Sequence, residues 1–291
     1  MSGILYVVGT PIGNLGDMSP RALETLASVD FIAAEDTRVT VKLLNRFEIK
    51  NKLISYHEHN RAEKGETILE MLLSGKSCAL VTDAGMPVIS DPGQDLVKLC
   101  RENGIEVAAV PGPSAVITAL AVSGLNVARF SFEGFLTVNK PKRREHLEEI
   151  KTEKKTMVFY EAPHKLADTL RDLHTALGDR NIAIIKELTK IHESAEFTTL
   201  AEVDGKYDGV KLKGEYVIIV EAKSEAQLAE EAAETAPDPV ELARRYIADG
   251  LSKNEAAKRA AKKTGAKKGD IYKLLLNENT ADEGGTGGND R

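Results

Sequence analysis

Four short stretches hold the residues on which chemistry could be built: VVGTPIGNLGD, VTDAGMPVISDPG, VPGPSA and FYEAPHK. Each follows an apolar run that reads as a buried strand, and each concentrates Gly and Pro, which set turns rather than fill cores. In an open α/β sheet, ligands bind beyond the carboxyl ends of the strands, where such loops point to a common crevice. What the loops lack narrows the ligand. GTPIGNLG spaces its glycines as G-x-x-x-G-x-x-G, not as the dinucleotide G-x-G-x-x-G. SGKS at Ser74 to Ser77 mimics the end of a phosphate-binding loop, but Glu70 stands where the first Gly is needed, and a strand follows rather than precedes it. A cofactor without a polyphosphate is therefore favoured. Cys78 and Cys100 have neither metal nor redox spacing, and the six His are scattered, so no metal ligand set is expected.

These loops need elements to hold them. The chain has 291 residues, 42% hydrophobic, enough for two packed domains and a smaller module. ILYVVGT reads as a strand, and Ser19 caps a following helix with Pro20 at its first position. FIAAED, KLISYHE, SCALVTD and EVAAVPG read as further strands alternating with helices, which predicts a mostly parallel sheet covered on both faces. After PGPSAVITALAVSGL the pattern changes: TMVFYEA, NIAIIKEL, AEFTTLAEV and GEYVIIVEA read as strands with some antiparallel pairing. The fold class is α/β, with domains at 1–113 and 114–222 and an Ala/Glu linker at 223–236. A basic helical module spaced like a helix-turn-helix follows at 237–276, then a polar Gly-rich tail, 277–291, expected to be disordered. Net charge is -6, which argues against a uniformly basic nucleic-acid binder, yet 237–276 carries ten Lys/Arg against five Asp/Glu. No apolar run approaches the roughly 18 residues of a membrane span. The start lacks the basic head and cleavage site of a signal peptide, so the protein reads as cytoplasmic.

In order along the chain, GTPIGNLGD, AEDTR, TDAGMPVISDPG, PGPSA, FYEAPHK and ELTKIHE resemble the tetrapyrrole-methylase superfamily over about residues 3 to 222. AEDTR and ELTKIHE are similar to its RNA branch, which methylates a ribose 2'-hydroxyl of a decoding-site cytidine in small-subunit (16S) ribosomal RNA. Thr82, Met86 and Lys165 stand where that branch is expected to have Ser, Thr and Arg. The resemblance implies two α/β/α domains with a cleft between them for S-adenosylmethionine. Pro11, Asp83, Ala84, Gly85, Met86, Ser114, Ala115, Tyr160, Leu188, Gly214 and Tyr216 would line that cleft. A homodimer and a ribosomal RNA or assembled small-subunit substrate follow as expected partners.

Methyl transfer from a sulfonium is an in-line displacement, so most of its acceleration comes from alignment, and a ribose hydroxyl benefits from a base or a cation beside it. Candidates are Glu35, Asp36 and Arg38, His57 and Glu58, and Glu187, Lys190 and His192. Asp36, Arg38, Glu187 and Lys190 are favoured as catalytic, Lys190 as the cation. In an extended run Asp36 and Arg38 share a side. Their pairing reads either as a structural ion pair or as Asp36 orienting Arg38 toward RNA phosphate. Lys140, Lys142, Arg143 and Arg144 of a basic loop, with Lys262 and Lys263 of the terminal module, are the expected RNA grips. A porphyrinoid C-methyltransferase of the same fold and a nucleic-acid-binding ligand sensor are the competing readings.

Overall fold

The computed structural model describes residues 2–223, 227 and 237–282. Its contacts divide the chain into two units, Met1–Ala222 and Lys223–Arg291. In the first unit, strands β1 (Ile4–Val8), β2 (Phe31–Ala34), β3 (Leu53–Ser55), β4 (Cys78–Val81) and β5 (Glu106–Val110) form a sheet in the order β3-β2-β4-β1-β5. All its pairings are parallel. Helices α1 (Pro20–Ser28), α2 (Thr37–Arg46), α3 (Arg61–Leu73) and α4 (Gln94–Glu102) cover it. Successive strand residues face opposite sides. Phe31 and Ala33 therefore join Ile68, Leu72 and Leu96 in one core, while Ile32 and Ala34 join Ala22, Leu26 and Leu44 in the other. Burial on both faces is why these strands are apolar throughout rather than alternating.

The second sheet runs β6-β7-β10-β8-β9, with β6 (Phe130–Phe135), β7 (Thr156–Glu161), β8 (Asn181–Lys186), β9 (Ser194–Thr199) and β10 (Tyr216–Val220). Only β6 and β7 pair in parallel; the other pairings are antiparallel. Helices α6 (Lys140–Ile150) and α7 (Leu166–Leu177) flank a core that includes Met157, Phe159, Ile184 and Ile218. The opposite core gathers Val158, Ile185 and Val217 with Val116, Ala119 and Leu120 of α5 (Ala115–Val122) and with Ile12 from the loop after β1. That core packs α5 and the loop after β1 against the second sheet.

The structure departs from the sequence pattern at several places, among them β6, which the pattern did not offer as a strand. AEFTTLAEV is not one strand: β9 stops at Thr199, whose side chain caps the short helix α8 (Leu200–Val203). The basic segment at Lys140 is the first turn of α6, capped by Asn139, rather than a loop. Asp36 and Arg38 do not lie in an extended run, because Asp36 is the N-cap of α2.

The second unit holds α9 (Pro239–Ala248), capped by Asp238, α10 (Lys253–Thr264), capped by Ser252, and α11 (Lys268–Asp282). Leu242, Ala256, Ala257, Ala260, Ile271 and Leu275 form its core, and the small alanines let the helices approach closely. The helix α11 continues to Asp282, past the Asn277 at which a disordered tail was expected to begin. The rest of that tail and nearly all of the expected linker lie outside the described residues. Among the described residues, no helix is long and apolar enough to cross a membrane.

Loop packing in the first unit tolerates no side chain where the turns after β1 and β5 cross. A Cβ on Gly9 would lie 2.7 Å from the Gly112 Cα and 2.7 Å from the Met86 sulfur. Gly9→Ala is therefore expected to cost about 1–3 kcal/mol of overpacking, read as a lower urea midpoint at unchanged slope.

Candidate active site

The loops after β1, β4, β5 and β7 converge. Thr10 and Gly85 exchange two backbone hydrogen bonds, Thr10 N–H to Gly85 O at 2.9 Å and Gly85 N–H to Thr10 O at 3.1 Å. The Thr10 hydroxyl adds a bond to the Thr82 carbonyl at 3.1 Å. These loops, with the turn after β8 and the start of β10, enclose a cavity of about 400 Å³. Of the residues nominated for a cofactor, Ala84, Gly85, Met86, Ser114, Ala115, Tyr160, Leu188 and Tyr216 line it; Pro11, Asp83 and Gly214 do not. Ile12, Ile89, Ser90, Asp91, Phe135, Glu161 and Glu215 also line it and were not nominated. Ser114 begins α5 without capping it through its own side chain, and the Val116 amide at that helix end bonds to the Tyr160 hydroxyl.

Backbone strain is concentrated at the same place. Among the described residues, five other than glycine have positive φ, and four of them, Val88, Ser90, Glu187 and Thr189, lie in two turns bordering the cavity. Such conformations cost about 1–3 kcal/mol each and persist only where the surroundings impose them.

A carboxylate group sits behind the loop after β4. The Thr82 hydroxyl donates to Glu35 Oε2 at 2.5 Å, and the Asp83 amide approaches the same oxygen at 3.4 Å. Burial, followed by the charge of Glu35, pushes Asp91 up to about 6, against a lowering by the Thr82 hydroxyl. The same two causes raise Asp83 above the ordinary carboxylate range. Asp83 Oδ1 accepts the Asp36 amide at 3.2 Å, which ties this loop to AEDTR. Asp36 in turn grips Arg38 through Nε at 3.0 Å and Nη2 at 2.6 Å, and this bonding holds its carboxyl down to about 2. Arg38 stays exposed, a guanidinium fixed on one edge only.

Lys190 lies between two carboxylates, 2.9 Å from Glu187 Oε1 and 2.7 Å from Glu215 Oε2. Partial burial disfavours its charge, but those hydrogen bonds outweigh it and raise the ammonium pKa. Lys190 is thus a fixed cation and not a base. Its bond to Glu187 holds that carboxyl low. Room for Glu187 comes from Gly214, where a Cβ would fall 2.6 Å from the Glu187 Cγ. Neither Lys190 nor Glu187 lines the cavity; Glu215 does, and it links them to it. Asp36, Arg38, His57, Glu58 and His192 do not line it.

The nominated RNA grips divide. Lys140, Lys142 and Arg144 are exposed on α6, and Lys262 and Lys263 are exposed in the last turn of α10. Arg143 turns inward: Nε meets Asp172 at 2.6 Å, and Nη2 donates to the Thr169 hydroxyl at 2.9 Å. Thr169 donates onward to buried Glu161 at 2.5 Å. Committed to these partners, Arg143 braces α6 against α7. It shares a groove of about 640 Å³ with Lys140, Arg144 and Lys165.

Two five-stranded α/β sheets, with loops closing a cavity for one small organic ligand beyond their strand ends, define a two-sheet α/β protein with a single-ligand site. Residues 4–204 match the tetrapyrrole (corrin/porphyrin) methylases, and the chain belongs to that family. It is 47% identical over 276 residues to a protein of Halalkalibacterium halodurans named ribosomal RNA small subunit methyltransferase I, covering 95% of this chain and 96% of the other. A Bacillus subtilis protein of the same name is 45% identical, with 93% of each chain covered. Uroporphyrin-III C-methyltransferase from Thermus thermophilus, solved with S-adenosylhomocysteine, shares the fold at a TM-score of 0.55 and 16% identity, over 75% of this chain and 97% of that one.

Asp91 supplies a pH test. Its carboxyl holds a proton to higher pH in the fold than in the unfolded chain, so stability falls as pH rises from about 4 to 6 and stays at the lower level above. Asp91→Asn should remove that fall and raise stability at pH 7.5 by on the order of 1 kcal/mol after screening. Thermal melts of both proteins from pH 4 to 8 read the difference.

Proposed function

We propose that this methyltransferase transfers a methyl group from S-adenosylmethionine to the 2'-hydroxyl of a cytidine ribose in the decoding region of small-subunit ribosomal RNA. The observation that carries this reading is the cavity itself, because residues nominated from separate motifs meet there around Thr10 and Gly85. The names of its relatives support the RNA substrate.

The cavity suits such a cofactor. Its volume is that of a pocket for one small organic ligand. Ile12, Met86, Leu188 and Val217 offer apolar surface, and Asp91 offers a negative charge. Asp91 and the backbone of Ala84 to Met86 would hold it, with Ser114, Ala115, Tyr160 and Tyr216 closing around it. The cofactor supplies an electrophilic methyl carbon on a sulfonium. The chain's residues do the rest: the strained turns at Val88 and Glu187 fix the walls, so little reorganisation is needed to align the acceptor. Lys190, kept charged by Glu187 and by the cavity-lining Glu215, helps position the acceptor from outside the cavity by holding Glu215 in the wall. Arg38, braced by Asp36, binds an RNA phosphate. Lys140, Lys142 and Arg144, with Lys262 and Lys263 of the terminal unit, attract the backbone independently of sequence. The reading includes a homodimer and a cytoplasmic location, where ribosomal subunits are available.

The test is incubation with radiolabelled S-adenosylmethionine and undermethylated small subunits, followed by nucleoside analysis. Label in 2'-O-methylcytidine is expected; label entering only a porphyrinoid acceptor would overturn the reading. Replacing Lys140, Lys142 and Arg144 together by Ala should reduce the slope of log affinity against log salt by about 2, at about 0.7 per phosphate contact. Cofactor affinity should be unaffected. Filter binding of small subunits across a salt series measures the first, and calorimetry the second.

A further inference from the structure

Two apolar side chains stand exposed at the cavity although they line it: Phe135, 56% exposed, and Ile89, 53% exposed. They come from different sheets, Phe135 from the edge strand β6 and Ile89 from the loop after β4. Both positions are set by unusual backbone. The β6–β7 register shifts between Phe132 and Gly134, and Gly134 has φ +66°, so a bulge re-aims the next side chain. Ile89 lies between Val88 at φ +80° and Ser90 at φ +65°. The two sites adjoin, since a Cβ on Gly134 would sit 3.6 Å from the Ser90 hydroxyl oxygen. Phe135 packs edge-to-face on Tyr160 at 5.6 Å, and Tyr160 is held from another side by Phe132 at 4.9 Å. The ring is thus anchored and still open to solvent.

An anchored aromatic ring with an exposed aliphatic side chain in the adjoining loop is a surface for a flat heterocycle. A cavity of about 400 Å³ is filled by one cofactor-sized ligand, which leaves the acceptor nucleotide to be received at the mouth. A ribose 2'-hydroxyl reaches a recessed methyl group more readily when its nucleotide is turned out of the helical stack, and an unstacked base needs a surface to replace its lost neighbours.

We propose that Phe135 and Ile89 form the slot that takes the pyrimidine base of the nucleotide being methylated, with the ribose directed toward the cavity. This rests on the RNA methylation reading above. Base–aromatic stacking is sequence-tolerant, so the slot holds the base, and selection of the nucleotide falls to the surrounding RNA shape.

The experiment compares Phe135→Ala, Phe135→Tyr and Ile89→Ala with the wild-type protein. Methyl transfer to undermethylated small subunits is measured kinetically, and affinity for S-adenosylhomocysteine by calorimetry. Phe135→Ala should lower kcat/KM by about 5- to 150-fold, the factor base–aromatic stacking supplies, with S-adenosylhomocysteine affinity within about twofold of wild type. Phe135→Tyr should restore transfer, and Ile89→Ala should lower it in the same direction by less. Unchanged kcat/KM in Phe135→Ala overturns the slot. A parallel loss of S-adenosylhomocysteine affinity assigns the ring to the cofactor and also overturns it. If wild-type protein leaves the subunits unlabelled, the RNA reading itself has failed; if wild type labels them and Phe135→Ala equals it, the slot alone has failed.

Discussion

Two hydrogen bonds between the Thr10 and Gly85 backbones bind the loop after β1 to the loop after β4. Parallel strands deliver their loops to one end of a sheet but do not hold them together. The exchange at Thr10 does so, and the close approach of Gly9 to Gly112 adds the loop after β5. With three loops joined, Ile12 is carried into the core shared with the second sheet, and the cavity has a fixed floor. The positive φ angles at Val88, Ser90, Glu187 and Thr189 are sustained by that rigidity.

Charge is organised by distance from this floor. Asp83 and Asp91 crowd one side beside Glu35, where burial and then the Glu35 charge keep the two aspartic carboxyls protonated to higher pH than usual. Lys190 with Glu187 and Glu215 forms a separate closed group on the other. Arg38 and the lysines of α6 stand outside both, where water screens them and where a polyanion can reach them. A cationic ligand inside and an anionic polymer outside is the combination that this layout accommodates without placing like charges together.

The parts legible in the sequence were those in which one segment carries its own signal. Strands buried on both faces read as apolar runs, and Ala84 to Met86, Ser114 and Tyr160 stand in Gly/Pro-rich turns directly after such runs. Asp91 and Glu215 were not legible, because a lone acid in a loop gains its role only when another strand end arrives beside it. Phe135 belongs to β6, whose bulge at Gly134 breaks the period-2 pattern that would have marked the strand. The N-cap at Asp36 was hidden for a local reason. AED reads as the end of a strand until the Asp36 carboxylate is seen accepting the Arg38 amide at 2.8 Å. Arg143 looked like its neighbours because composition cannot tell a lysine facing water from an arginine one position along that turns toward Asp172 and Thr169.

That arginine makes the outer groove and the inner cavity mechanically dependent. Thr169 receives a bond from Arg143 on the groove side and passes one to Glu161, a residue of the cavity wall. A hydroxyl has one proton to give, and with Arg143 donating to the Thr169 oxygen that proton is directed to Glu161. The shape of the inner wall is thereby written partly in a residue of the outer helix.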